Sequence, residues 1–77
     1  MGTIREERES RDFTQEDLAS KAETSKTTII RAEKGERVAK RTARRIAHAL
    51  GMQPGQLTDL NYAGKRNVVA HVQPGNS

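Results

Sequence analysis

Residues 14–35 read TQEDLASKAETSKTTIIRAEKG, and the pattern of this stretch decides the architecture. Thr14 has the character of a helix N-cap, and Asp17 three residues on completes a capping-box variant. Leu18, Ala19 and Ala22 then recur at helical spacing. A short break falls at Glu23-Thr24, and Ser25 offers a second N-cap. Ile29 and Ala32 put an apolar stripe on the next helix, and Gly35 stands where a helix C-terminus needs a stop. Two short helices joined by so tight a break, with the small Ala19 at the crossing, pack at a steep angle with their backbones close. Leu18, Ile29 and Ala32 turn inward. The outward face of the second helix is then Lys26, Thr27, Ile30, Arg31 and Lys34.

The flanks extend the helical reading in both directions. Residues 3–11 (TIREERESR) hold no breaker and one large apolar residue, Ile4. An i,i+4 pair, Arg5–Glu9, supports this first helix, and Asp12-Phe13 ends it. On the other side, residues 36–39 are expected as a loop. A fourth helix is predicted from about Arg41 to Leu50, with Ala43, Ile46, Ala47 and Leu50 on one face and Gly51 as its stop. Pro54 suits the first turn of a short fifth helix, PGQLTDL, bearing Leu57 and Leu60. After Asn61 the pattern changes: AGKR and QPGNS are polar and rich in breakers, and NVVAHV between them is β-branched. The expectation is an all-α, compact five-helix bundle over residues 3–61. The tail, 62–77, is expected to be disordered or to supply a short strand for dimerisation.

Charge is unevenly distributed over these elements. The 77-residue chain carries 14 Lys+Arg and 10 Asp+Glu, a formal net charge of +4. Residues 1–23 have a net charge of −3, whereas residues 24–50 reach +6. A basic segment centred on an outward helix face is the electrostatic footprint of a nucleic-acid surface; the alternative is a solvated face that only aids solubility. Lys26 and Thr27 stand in the first turn, where side chains reach base edges, and Arg31 one turn on suits a bidentate guanine contact. Ile30 either meets a thymine methyl or packs on a neighbouring helix. Thr28 and Lys34 suit phosphate contacts, which set register and carry no sequence information. Arg44, Arg45 and His48 read as a solvated face.

In the motif T-Q-E-x-L-A…S-x-x-T-I-x-R-x-E-x-G the chain resembles the phage-repressor and Cro-type (XRE-type) helix-turn-helix family, over about residues 3–60. The resemblance implies a five-helix DNA-binding domain acting as a homodimer on a two-fold operator. It implies that Gln15 bonds a phosphate and braces the recognition helix. It also implies that Arg37, Lys40 and Arg41 lie along the DNA backbone, with Arg41 able to enter a narrow minor groove. An Arg8–Glu33 ion pair would tie the first helix to the recognition helix. Dimerisation would use the region after the fourth helix, where Leu57, Leu60 and Tyr62 are candidates unless the two leucines close the monomer core. The chain departs from the family pattern at Glu7, Asp12, Glu23 and Thr24. The turn occupied by Glu23 needs positive φ, for which Gly is usual, so Glu there costs about 1 kcal/mol.

Other classes fit poorly. The absence of Cys excludes a disulfide scaffold and a zinc finger. No apolar run approaches a membrane span and no signal peptide opens the chain. His48 and His71 lack companions for a metal site or a triad, and Gly35, Gly51 and Gly55 build no phosphate-cradling loop. The reading is therefore a non-enzymatic regulator without metal or small-molecule cofactor, cytoplasmic and nucleoid-associated, bacterial or phage-encoded. A repressor is expected. The alternatives are a protein-binding adaptor or antitoxin on the same fold, or the DNA-binding fragment of a longer regulator. Leu, Ile, Val and Phe make up only about a sixth of the chain, so the core is expected to be thin and lined by alanine.

Overall fold

The computed structural model describes residues 2–62. Among the described residues four α-helices occur in order: α1 (Ile4–Ser10), α2 (Gln15–Lys21), α3 (Lys26–Glu33) and α4 (Lys40–Ala49). Two short strands, β1 (Arg37–Val38) before α4 and β2 (Asn61–Tyr62) at the end, pair in parallel, Arg37 opposite Asn61 and Val38 opposite Tyr62.

The starts of α1 and α2 follow from side-chain capping, whereas α4 opens after Ala39 without a side-chain cap. Thr3 accepts from the Glu6 amide at 3.1 Å while the Glu6 carboxylate accepts from the Thr3 amide at 3.0 Å. Thr14 and Asp17 repeat the arrangement at 3.0 and 2.9 Å. These bonds satisfy amides that the first turn leaves without intrahelical partners. The bonds from Thr14, its backbone amide above all, hold the Asp17 carboxyl below the usual aspartate range, with a further contribution from Lys21.

All four helices also end alike. In each, the amide of a left-handed residue bonds back to a carbonyl three residues earlier, and the next amide bonds to the carbonyl five earlier. The donors are Asp12 and Phe13, Glu23 and Thr24, Gly35 and Glu36, and Gly51 and Met52, at 2.9–3.2 Å. Gly35 and Gly51 hold φ of +83 and +71, where they meet no Cβ penalty, but Asp12 and Glu23 hold φ of +60 and +57. Aspartate visits this region more readily than most residues, whereas glutamate has no such preference.

The core lies between the helices and the segment that follows α4. Ile4, Leu18, Ile29, Ile46, Leu50, Leu57 and Leu60 are its large members, and Ala19, Ala22, Ala32, Ala43 and Ala47 fill the crossings. Phe13, Val38, Ala49, Met52 and Tyr62 pack on its margin. The alanines let short helices approach closely, so few large side chains suffice to close the interior.

Two expectations are corrected here. The fifth helix is a single 3-10 turn, Pro54–Gln56, and Leu57 beyond it is extended. The chain after it is drawn to the N-terminus: Leu57 bridges Gly2 in parallel, the Thr58 amide donates to the Gly2 carbonyl at 3.1 Å, and Asp59 Oδ1 accepts from the Ile4 amide at 3.0 Å. Those bonds compete with further helix for the same backbone groups. Secondly, the loop expected at 36–39 contains β1, so the fold is mostly helical with one small parallel sheet. Tyr62, expected to open the tail, is part of that sheet; the NVVAHV segment lies outside the described residues. Leu57 and Leu60, candidates for dimerisation unless they close the core, are 1% and 0% exposed in this chain, and Tyr62 is half-buried.

Two outcomes follow. Replacing Glu23 by Gly should raise stability by about 1 kcal/mol in urea melts, because its partner Arg45 stands 3.9 Å away across an exposed pair of little energetic value. A loss of stability would contradict the assignment of backbone strain. For Asp17, the folded carboxyl titrates lower than the unfolded one. The stabilisation is therefore complete above the ordinary aspartate range and lost as pH falls through the folded value. Carboxyl NMR should show this depression; titration at the ordinary aspartate position would refute it.

Candidate nucleic-acid interface

The rotation of α3 is set from both sides. At its start Ser25 Oγ accepts from the Thr28 amide at 3.1 Å. Along its length Ile29 and Ala32, both 0% exposed, face the core. Helical geometry then leaves Lys26, Thr27, Arg31 and Lys34 exposed on the opposite face. Ile30 and Thr28 sit at its shoulders, half-buried. The Thr28 hydroxyl lies 2.9 Å from the Ser25 hydroxyl, so it helps close the cap as well as facing the rim.

The first turns of the helices differ in charge. α1 and α2 begin with acidic residues, Glu6 and Glu7, then Glu16 and Asp17. α3 and α4 have no acidic residue in the first turn. They start instead with Lys26 and with Lys40-Arg41. Positive side chains at the positive end of a helix dipole are unfavourable for the isolated protein, and an anion placed there reverses the sign. Arg37 in β1, Lys40 and Arg41 are all exposed. Arg44 and His48 further along α4 are exposed as well, and Arg45 stands beside Glu23.

Beneath this surface one carboxylate organises three helices. Glu33, near the end of α3, accepts from Arg8 Nε of α1 at 2.7 Å, and Arg8 Nη2 reaches the other oxygen at 3.5 Å. Both side chains are only 10% exposed. Arg8 Nη1 donates to the Phe13 carbonyl at 2.9 Å. From α2, Gln15 Nε2 donates to Glu33 Oε1 at 3.2 Å. A carboxamide nitrogen carries two hydrogens, so Gln15 can hold Glu33 with one and offer the other outward. Arg8 and Glu33 are thus joined, and Gln15 is attached to them.

Two short helices packed at a tight left-handed turn, the second with a polar, basic outer face, are the defining arrangement of a known group. A helix-turn-helix family model matches residues 4–57. The chain belongs to the XRE/Cro/C1-type helix-turn-helix family. No curated protein and no solved structure matches it. Membership makes the domain a DNA-binding regulatory one, of a type not ordinarily enzymatic. Among the described residues no helix is long and apolar enough to cross a membrane.

In this helix-turn-helix domain two residues at the site escape local sequence reasoning. Asp59 bonds the first turn of α1 from 55 positions away, and no sequence pattern announces that partner. Glu36 lies 3.9 Å from Arg31 Nε. Its proximity is readable only once Gly35 is taken as a left-handed stop, which turns the following residue back over the helix. A third acid, Glu16, stands 4.0 Å from Lys26 Nζ.

Removing Glu33 strands the buried guanidinium of Arg8, so Glu33→Ala should cost about 3–5 kcal/mol in denaturant melts. Replacing Arg8 and Glu33 together by apolar residues of similar size should recover much of that loss. An unchanged melting midpoint for Glu33→Ala would contradict the structural role of the pair.

Proposed function

We propose that this chain is a small transcriptional repressor that binds duplex DNA sequence-specifically as a homodimer on a two-fold operator. The observation that carries the reading is the exposed face of α3, where Lys26, Thr27, Arg31 and Lys34 stand together on a helix whose other face is locked into the core. That face fits the major groove. In the roles proposed, Lys26 and Arg31 read base edges, with Thr27 and Ile30 suited to a base or a thymine methyl. Gln15, Thr28, Lys34, Arg37, Lys40 and Arg41 meet the backbone, and Arg41 extends toward a narrow minor groove. The cationic first turns of α3 and α4 support this division, since phosphate oxygens offset the repulsion each turn carries alone.

Two recognition helices about 34–36 Å apart would engage successive major grooves on one side of the duplex. With Leu57 and Leu60 committed to the core, the proposed dimer contact falls to the half-buried apolar residues of the same region, Met52 and Tyr62. Occupation of a promoter by the dimer represses without any chemical step.

Selection of bound duplexes from a random pool tests the reading directly. Enrichment of a palindrome is the expected result, with affinity that falls steeply with salt. Arg31→Ala should then weaken binding to the enriched duplex by about 1–3 kcal/mol and relax preference at one base pair. An equal loss on enriched and scrambled DNA would make Arg31 a phosphate contact.

A further inference from the structure

Arg31 stands on α3 beside a carboxylate that the helix stop brings near it. The Gly35 amide donates to the Ala32 carbonyl at 3.0 Å and the Glu36 amide to the Arg31 carbonyl at 3.0 Å. This stop wraps the residue after the glycine back over the residue three positions before the cap, and apolar side chains commonly meet there. Here the two are Glu36 and Arg31. A charge pair stands in place of the usual apolar contact, with Arg31 Nε 3.9 Å from Glu36 Oε1 and both side chains more than half exposed.

The closest approach of the carboxylate to the guanidinium is at Nε. The terminal nitrogens form a separate fork, the one suited to a bidentate contact with guanine O6 and N7. The Glu36 carboxylate also repels phosphate, so a guanidinium beside it is a poorer ligand for the backbone than a bare one. Backbone contacts are the sequence-independent part of binding. An acid that weakens them while leaving the guanine-reading fork open therefore favours the right sequence over the rest. Lys26 beside Glu16 offers no such division, because an ammonium is a point charge without a second edge.

We propose that Glu36 is a specificity-determining positioning residue that acts through Arg31. Its carboxylate, 3.9 Å from Nε and beyond hydrogen-bond range, attracts that edge weakly, leaves the terminal nitrogens to a guanine and penalises contact with phosphate alone. The inference rests on the DNA-reading role proposed above for Arg31.

The test compares the 77-residue chain with Glu36→Gln, Arg31→Ala and the double variant. The probes are the duplex enriched by the unaltered chain from a random pool and a scrambled duplex of the same composition. Glu36→Gln keeps the backbone stop and the side-chain length, and its melting temperature should match the parent. Binding to the scrambled duplex should tighten about two- to fivefold, the range an exposed charge pair supports. The enriched duplex should not gain by the same factor, so discrimination falls. In the Arg31→Ala background the effect of Glu36→Gln on discrimination should vanish. Equal changes on both duplexes, or the same loss of discrimination with and without Arg31, would overturn the proposal. If the unaltered chain enriches no duplex, the base-reading role itself fails and this inference with it, a result visible before any variant is made.

Discussion

The Glu33 carboxylate is the constraint on which the arrangement of the recognition helix depends. It is mostly removed from water and carries a full charge, so it must be compensated where it sits. Arg8 supplies the opposite charge from α1 and Gln15 a neutral donor from α2. Because a guanidinium is planar and its donors are fixed, Arg8 can serve Glu33 and the Phe13 carbonyl together in only a narrow range of positions. That geometry sets α3 against α1 and α2 more tightly than a thin apolar core does alone. Gln15 stands at the point where this internal network meets the surface.

A second constraint is the common way in which the helices end. Seven- to ten-residue helices are too short to persist by propensity. Each is bounded by a turn that returns the chain to the core. Two of these turns use glycine and two accept acidic residues in the left-handed region. The strained positions lie after α1 and α2 and outside α3 itself, so strain at Glu23 is carried by the turn and lowers the stability margin. The stop after α3 does more, since it seats Glu36 against Arg31.

Charge follows the same division of labour. The acidic first turns of α1 and α2 complement their helix dipoles and stabilise the domain by itself. The first turns of α3 and α4 do the opposite and become favourable beside an anion. The net +6 of residues 24–50 comes from Lys26, Lys40 and Arg41 at the two helix starts, Arg31, Arg44 and Arg45 within the helices and Lys34 and Arg37 between them, less Glu33 and Glu36. Acidic side chains at Glu16 and Glu36 temper it locally.

By itself the sequence determined whatever depends on residues close together in the chain. Thr14, Asp17 and Ser25 announce helix starts because capping bonds span three residues. Gly35 and Gly51 announce stops because few other residues accept the left-handed conformation. The inward set from Ile4 to Leu50 follows from helical spacing, and with it the outward face of α3. The family resemblance added Arg8 with Glu33, a pair 25 positions apart that no local rule joins. Only the tertiary structure decided the rest. Whether PGQLTDL became a helix depended on Gly2 and Ile4 competing for its backbone and for Asp59. The burial of Leu57 and Leu60 depended on that same fold-back. Pairing of Arg37-Val38 with Asn61-Tyr62 joins segments separated by a whole helix. In each case the deciding partner lies tens of residues away, and two-residue strands have too little pattern to reveal it.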